Sequence, residues 1–341
     1  MKRLERRTVG FRLTPRLVLL ALLVTLVATL AAGCGRDDES DGANTAASET
    51  DTGGGGEELS GDIEADGSST VGPLTTAAAE LFREEQSGVN VTVGTSGTGG
   101  GFERFCAGET DISDASRPIK DDEEVPICEE KGVEYIEFEV AVDALTIAVN
   151  SENDWATCLT TEQLNAIWEP GSKIKNWKDV PGGDFPDESM SLAGPGTDSG
   201  TFDYFTDEIN GEEGASRSDY TASEDDNVIV QAVAGEKGAL GYFGYTYYEE
   251  NQDTLKAVEV DSGDGCVAPS VETAQAGEYT PLARPLFVYV KKESLERPEV
   301  KEFMRFYLEN LDTIAETAQF IPLTEEQTAE QMTKYDEAVG S

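Results

Sequence analysis

Histidine is absent from all 341 residues, which removes the commonest general base and a leading metal ligand together. A Ser–His–Asp triad needs an imidazole, so none can be built. Zinc would depend on cysteine, and the five cysteines contain no C-x-x-C spacing. Basic residues are scarce: 25 Lys and Arg stand against 68 Asp and Glu, a formal charge of −43. Nucleic acid requires a basic stripe that this chain lacks. None of the acidic runs has the spacing of an EF-hand loop, no segment repeats, and no heptad pattern is visible. No catalytic residue, metal or cofactor is expected, and the acidity reads as a strongly hydrated surface.

The one long apolar run lies near the N-terminus. Lys2, Arg3, Arg6, Arg7, Arg12 and Arg16 precede LVLLALLVTLVATLAA, which is short for the about 20 apolar residues of a membrane span. Small residues and Gly33-Cys34 follow, giving an n-region, an h-region and a cleavage site. LAAGC resembles a bacterial lipobox, with its leucine one place earlier than usual. Residues 1–33 are therefore expected to be a lipoprotein signal peptide, with Cys34 lipidated and the chain anchored to the outer face of the cytoplasmic membrane. RRTVGF adds a twin-arginine hint. Without residues 1–33, six basic residues and one acidic residue are gone and the charge is −48, so the acidity belongs to the exported part. Residues 34–60 carry eight acids, a run of four glycines and almost no large apolar side chain, the composition of a disordered tether. Cys106, Cys128, Cys158 and Cys266 remain, an even number in an oxidising compartment. Two disulfides are expected, with three connectivities open.

From Gly61 onward, VNVTVGT, VEYIEFEV, ALTIAVN, ALGYFGY and PLFVYV alternate with helical patterns near 73–86, 100–107, 161–168, 200–209, 225–235 and 299–318. This alternation predicts an α/β architecture with mainly parallel sheets. In the helix at 73–86, Pro73 suits the first turn, while Leu74, Ala77, Ala78, Leu81 and Phe82 form one apolar stripe before Gly88 ends it.

Hydroxyls and glycines recur at the starts of these helices: SST at 68–70, TSGTGGG at 95–101, TDSGT at 197–201 and TASEDDN at 221–227. Any one of them is also an ordinary N-cap or turn. Together they offer unpaired N–H groups, the positive ends of helix dipoles and neutral hydroxyl donors, which suits a tetrahedral oxyanion. The glycine-rich segment lacks the G-K-[ST] ending of a P-loop and the G-x-G-x-x-G spacing of a dinucleotide fingerprint.

GSSTVGP, TSGTGGGFERF, DISDASRPI, GTDSGTFDYF and GALGYFGY, in this order behind a lipobox, resemble the phosphate-binding lipoproteins of phosphate-specific ABC importers. The resemblance covers residues 61–341. It implies a type II periplasmic-binding-protein fold, an α/β pair of lobes hinged by two crossing strands that close on the ligand. Lobe 1 would take residues 61–143 and 284–341, and lobe 2 residues 144–283. On those bounds Cys106–Cys128 and Cys158–Cys266 each close within one lobe.

The implied partners are inorganic phosphate, the transmembrane subunits of an ABC permease, and the membrane through the lipid; a monomer is expected. The family's ligands carry over to Ser69, Thr70, Ser96 or Thr98, Ser199, Gly200 and Thr201. Two positions depart from the family pattern: Pro195 stands where it has an arginine, and Ser116 where it has the aspartate that accepts the proton of hydrogen phosphate. Arg117 is the candidate for the displaced cation and Arg217 the reserve, while Asp114, Asp225 or Asp226 would replace the acceptor. The alternatives are another tetrahedral oxyanion, sulfate or a metal oxyanion, and a secreted phosphatase-like hydrolase.

Overall fold

The structure is a computed structural model that describes residues 58–340. The expected signal peptide, Cys34 and most of the expected tether lie outside the described residues.

The first half opens with β1 (Ser60–Gly67), α1 (Gly72–Glu85), β2 (Gly88–Gly94), α2 (Thr98–Cys106), β3 (Ile112–Ala115) and α3 (Val125–Lys131). A long strand, β4 (Tyr135–Asn150), leads into the second half. There follow β5 (Cys158–Thr160), α4 (Thr161–Trp168), β6 (Ser191–Pro195), α5 (Gly200–Asn210), β7 (Thr221–Ser223), α6 (Asp226–Gly235) and β8 (Ala239–Gly244). Shorter pieces come next: α7 (Tyr245–Glu249), β9 (Leu255–Ala257), β10 (Glu259–Asp261), β11 (Cys266–Val267) and α8 (Val271–Gln275). The chain returns through β12 (Ala283–Lys291) to α9 (Pro298–Glu309), α10 (Leu311–Thr317) and α11 (Glu325–Gly340).

Among the described residues, one sheet runs β2-β1-β3-β12-β4-β8-β6-β7, with β9 also on β4. The 16 residues of β4 are enough to serve both halves: Tyr135–Ala144 pair with β12, and Leu145–Asn150 with β8 and β9. β4 and β12 are thus the two crossing strands of the type II fold.

The expectation of mainly parallel sheets needs correction. β1 runs parallel to β2 and β3, and β6 to β7 and β8, but β12 is antiparallel to both β3 and β4, and β4 to β8. A chain that leaves one half and must come back reverses direction between the strands that carry it.

Each half has its own core. In the first, Phe82 of α1 sits edge-on to Phe303 of α9 at 5.4 Å and is buried with Leu74, Ala77 and Ala78 of the foreseen stripe, while Leu81 is half-buried. In the second, Phe205 of α5 stacks on Tyr242 of β8 at 3.8 Å, with Trp168 edge-on to both. Three boundaries differ from the sequence reading. The apolar runs at 133–140 and 144–150 are one strand, the helix at 299–318 breaks at Asn310, and Gln86 rather than Gly88 closes α1.

Disulfides join Cys106 to Cys128, across α2 and α3, and Cys158 to Cys266, across β5 and β11. The second spans 108 residues and the first 22, so chain entropy makes the longer loop the more stabilising. Replacing Cys158 and Cys266 by alanine is expected to cost about 3 to 5 kcal/mol in urea unfolding, and the shorter pair less. Equal losses would contradict the loop-length account.

Candidate functional site

A cavity of about 470 Å³ lies between the two halves, where the loops after β1, β2 and β3 meet the start of α5. The first loop is built on Gly67, where any Cβ would overlap the Asp114 carbonyl. Ser68 N–H donates to that carbonyl at 2.9 Å, and Ser68 Oγ accepts from Thr70 N–H at 3.1 Å. With Ser68 engaged in its own turn, the loop presents exposed Ser69 and nearly buried Thr70 to the cavity.

The second loop hangs on Asp66 at the end of β1. Its buried carboxylate accepts from Ser96 N–H at 2.9 Å and Ser96 Oγ at 2.7 Å, and also pairs with Arg104. Gly97, at φ 81°, turns the chain into α2. A serine hydroxyl has one proton, and that of Ser96 goes to Asp66. Thr98 Oγ1 instead accepts from Ser116 N–H at 3.2 Å and lies 3.0 Å from Ser116 Oγ. That hydroxyl pair has two protons and one mutual bond, leaving one donor for the cavity.

The third loop is capped by Ser199, whose Oγ accepts from Thr201 N–H at 3.2 Å. Gly200 faces the first half so closely that a Cβ there would overlap Thr70 Oγ1. The carried-over Ser-Gly-Thr is therefore divided. Gly200 lines this cavity, while Thr201 lines a smaller one of about 160 Å³ with Asp143 and Asp226. Ser199 lines neither.

The cation assignments change. Arg117 does line the cavity, but its two Nη atoms grip the Glu124 carboxylate at 2.8 Å each. That bond raises its pKa and leaves its charge matched. Arg217 is a buried brace, donating to Ile167 O at 2.8 Å, Ile174 O at 3.0 Å and Asp219 at 2.7 Å, and is not in the cavity wall.

The guanidinium that sequence reading missed is Arg284 of β12. It stands opposite Asp143 in the β12–β4 register, bonds Asp143 Oδ2 through Nε and Nη2 at 3.3 Å each, and lies 3.6 Å from the ring centroid of Tyr204 on α5. Its Nη2 comes within 3.5 Å of Thr70 Oγ1, and its Nη1 has no partner among the described residues. Burial pushes the Asp143 carboxyl up, opposed by the charge and bonds of Arg284. The only forewarning was an arginine at the head of the apolar run PLFVYV.

The acceptor candidates are likewise redistributed. Asp114 lies beneath the loops, outside the cavity wall, and Asp225 caps α6. Asp226 faces the smaller cavity, its pKa lifted to about 6 by burial and by Asp225 and Glu224. Asp203, in the first turn of α5, lines the main cavity, and burial raises its pKa against the pull of Arg284. Among the described residues, Cys158, Glu259 and Cys266 are spaced to hold a metal, but both sulfurs are in the disulfide and supply no thiolate.

Two α/β halves hinged by two strands, with hydroxyls, helix N-termini and the guanidiniums of Arg117 and Arg284 between them, define a type II binding protein for a small anion. The chain belongs to the PBP superfamily, whose domain model matches residues 43–310. It is 48% identical over 264 residues to Protein SphX of Synechococcus elongatus, covering 76% of this chain and 77% of that one. It is 42% identical over 282 residues to the Phosphate-binding protein PstS of Staphylococcus saprophyticus, covering 82% and 86%. A crystal structure described as a possible phosphate binding protein from Planctomyces limnophilus superposes with a TM-score of 0.78 at 46% identity, over 82% of this chain and 99% of that one.

Proposed function

We propose that this protein is an extracytoplasmic receptor that captures inorganic phosphate between its two halves and delivers it to an ABC permease. The observation that carries the reading is the cavity itself: uncharged donors at the starts of α1, α2 and α5, with Arg284 facing them from the hinge. Ser69, Thr70, the Thr98–Ser116 pair, Gly200 N–H and Arg284 hold the anion. Ser96 positions the second loop, Ser199 and Thr201 shape the start of α5, and Arg117 stays with Glu124 at the rim. Neutral donors desolvate an anion without burying excess positive charge, and one guanidinium adds a planar fork for two oxygens.

Phosphate carries a proton near neutral pH and sulfate does not. Asp203 is the acceptor this arrangement offers, in place of the aspartate missing at Ser116. The reading is capture and release of the anion, with no covalent step. Export and a lipid at Cys34, supported by the N-terminal sequence, lobe bounds of 61–143, 144–283 and 284–341, supported by the paths of β4 and β12, and a monomeric state complete the reading. Among the described residues no helix is long and apolar enough to cross a membrane.

Equilibrium dialysis of the full chain against labelled phosphate, with sulfate as competitor, tests this. One phosphate per chain is expected, undisturbed by an equal concentration of sulfate and only about half displaced at a 100-fold excess, the discrimination an unpaired buried group of about 2 to 3 kcal/mol gives. Equal competition by sulfate would overturn the phosphate assignment.

A further inference from the structure

Beneath the hydroxyl loops lies a carboxyl with no cation among the described residues paired to it. Asp114, in β3, has no solvent exposure. Its Oδ1 accepts one bond, from Thr75 Oγ1 of α1 at 2.6 Å, and its Oδ2 has no partner among the described residues. The titratable group set against it is the Tyr307 hydroxyl of α9, which lies 3.3 Å from Thr75 Oγ1 and whose proton burial holds well beyond the usual range. From β1 it meets Gly67, and from β12 Val288 stands opposite in register. Burial therefore favours the neutral acid and raises its pKa to about 7, against the single opposing bond from Thr75.

The same residue is tied to the anion loops. Its carbonyl accepts from Ser68 N–H, at the head of the Ser69–Thr70 turn, and Thr75, which donates to its carboxylate, is in the first turns of α1, which that turn precedes. Two positions further on, Ser116 pairs with Thr98.

We propose that Asp114 is a proton-binding site coupled to the anion cleft: its neutral form accompanies the bound anion and its ionised form opposes it. The coupling rests on the phosphate reading above. Two unit charges about 10 Å apart at an effective dielectric near 20 repel enough to change affinity about tenfold. By linkage, a bound anion favours proton uptake at Asp114 by the same factor.

The test is calorimetric titration of the full chain with inorganic phosphate, wild type beside Asp114→Asn, at pH 6 and pH 8 and in two buffers of different ionisation enthalpy. The phosphate's own titration is common to both proteins and drops out of the comparison. Matching affinities are expected at pH 6, an about fivefold advantage for the variant at pH 8, and extra proton uptake per phosphate in the wild type between about pH 7 and pH 8. Parallel pH profiles would overturn the coupling.

Ligand-free unfolding reads the proton site separately. A carboxyl raised from 3.8 to about 7 contributes stability that is complete below pH 4 and lost as the pH rises through 7. Asp226, Asp143 and Asp203, also raised, lose stability in both proteins, so the wild type should lose more than Asp114→Asn between pH 4 and pH 7; equal losses would overturn the proton site. Thr75→Val, which removes the opposing bond, should move the wild-type midpoint upward, a second reading that does not depend on how the Asn variant folds. If phosphate gave no heat with either protein, the phosphate reading and the coupling would fail together, while the unfolding curves would still judge the proton site.

Discussion

Arg284→Gln is expected to weaken phosphate binding by more than about 100-fold and to destabilise the fold by about 3 kcal/mol. The affinity loss follows from two charge-assisted hydrogen bonds, each worth about 1.5 to 3 kcal/mol. The stability loss follows from Asp143, whose side chain is 6% exposed and which is left without its cation. The two effects separate in the double variant Arg284→Gln with Asp143→Asn, where no buried charge is stranded. Urea unfolding should return to near wild type while calorimetry still shows the affinity loss. Arg284→Lys should fall between, because an ammonium keeps the charge but loses the fork and the stacking on Tyr204. Wild-type affinity in the double variant would remove Arg284 from the site.

Gly200→Ala should weaken phosphate binding by tenfold or more while leaving the fold as stable or slightly more so. The added Cβ would overlap Thr70 Oγ1 and sit 3.3 Å from Thr70 Cβ and 3.4 Å from Ser69 Oγ, so the start of α5 could not approach the first loop. Gly200 is not among the glycines at positive φ, and alanine in a helix adds about 0.4 to 1 kcal/mol by restricting the unfolded chain. A variant that holds its melting temperature yet binds weakly would place the defect in closure rather than folding. Small-angle scattering checks this independently: phosphate should contract the wild type and leave the variant unchanged. Contraction of both would contradict the closing role of the Thr70–Gly200 contact.

What sequence could show of this site was its local chemistry. Ser199 capping α5, and the turn that Ser68 makes for itself, need only neighbours two or three residues away, so hydroxyl and glycine clusters marked the loops correctly. The pairing of charges was hidden because it is tertiary. Arg284 meets Asp143 through the register of two strands 141 residues apart, and no local spacing signals it. Arg117 stands in a conspicuous motif, yet Glu124, seven residues on, folds back across it as α3 begins. Ser96 and Thr98 differ through Asp66, which takes the Ser96 proton from 30 residues away. In the fold, α11 escaped notice because only Gln331 and Tyr335 are buried among its polar residues, leaving almost no apolar stripe to read.

The most direct measurement is a crystal structure of the full chain grown with arsenate, a phosphate isostere whose anomalous signal fixes its place. The account predicts one tetrahedral anion between the Ser69–Thr70 turn, the Thr98–Ser116 pair, Gly200 N–H and Arg284. An anomalous peak at Arg117 alone, in the cavity of Thr201 and Asp226, or nowhere in the cleft would contradict it.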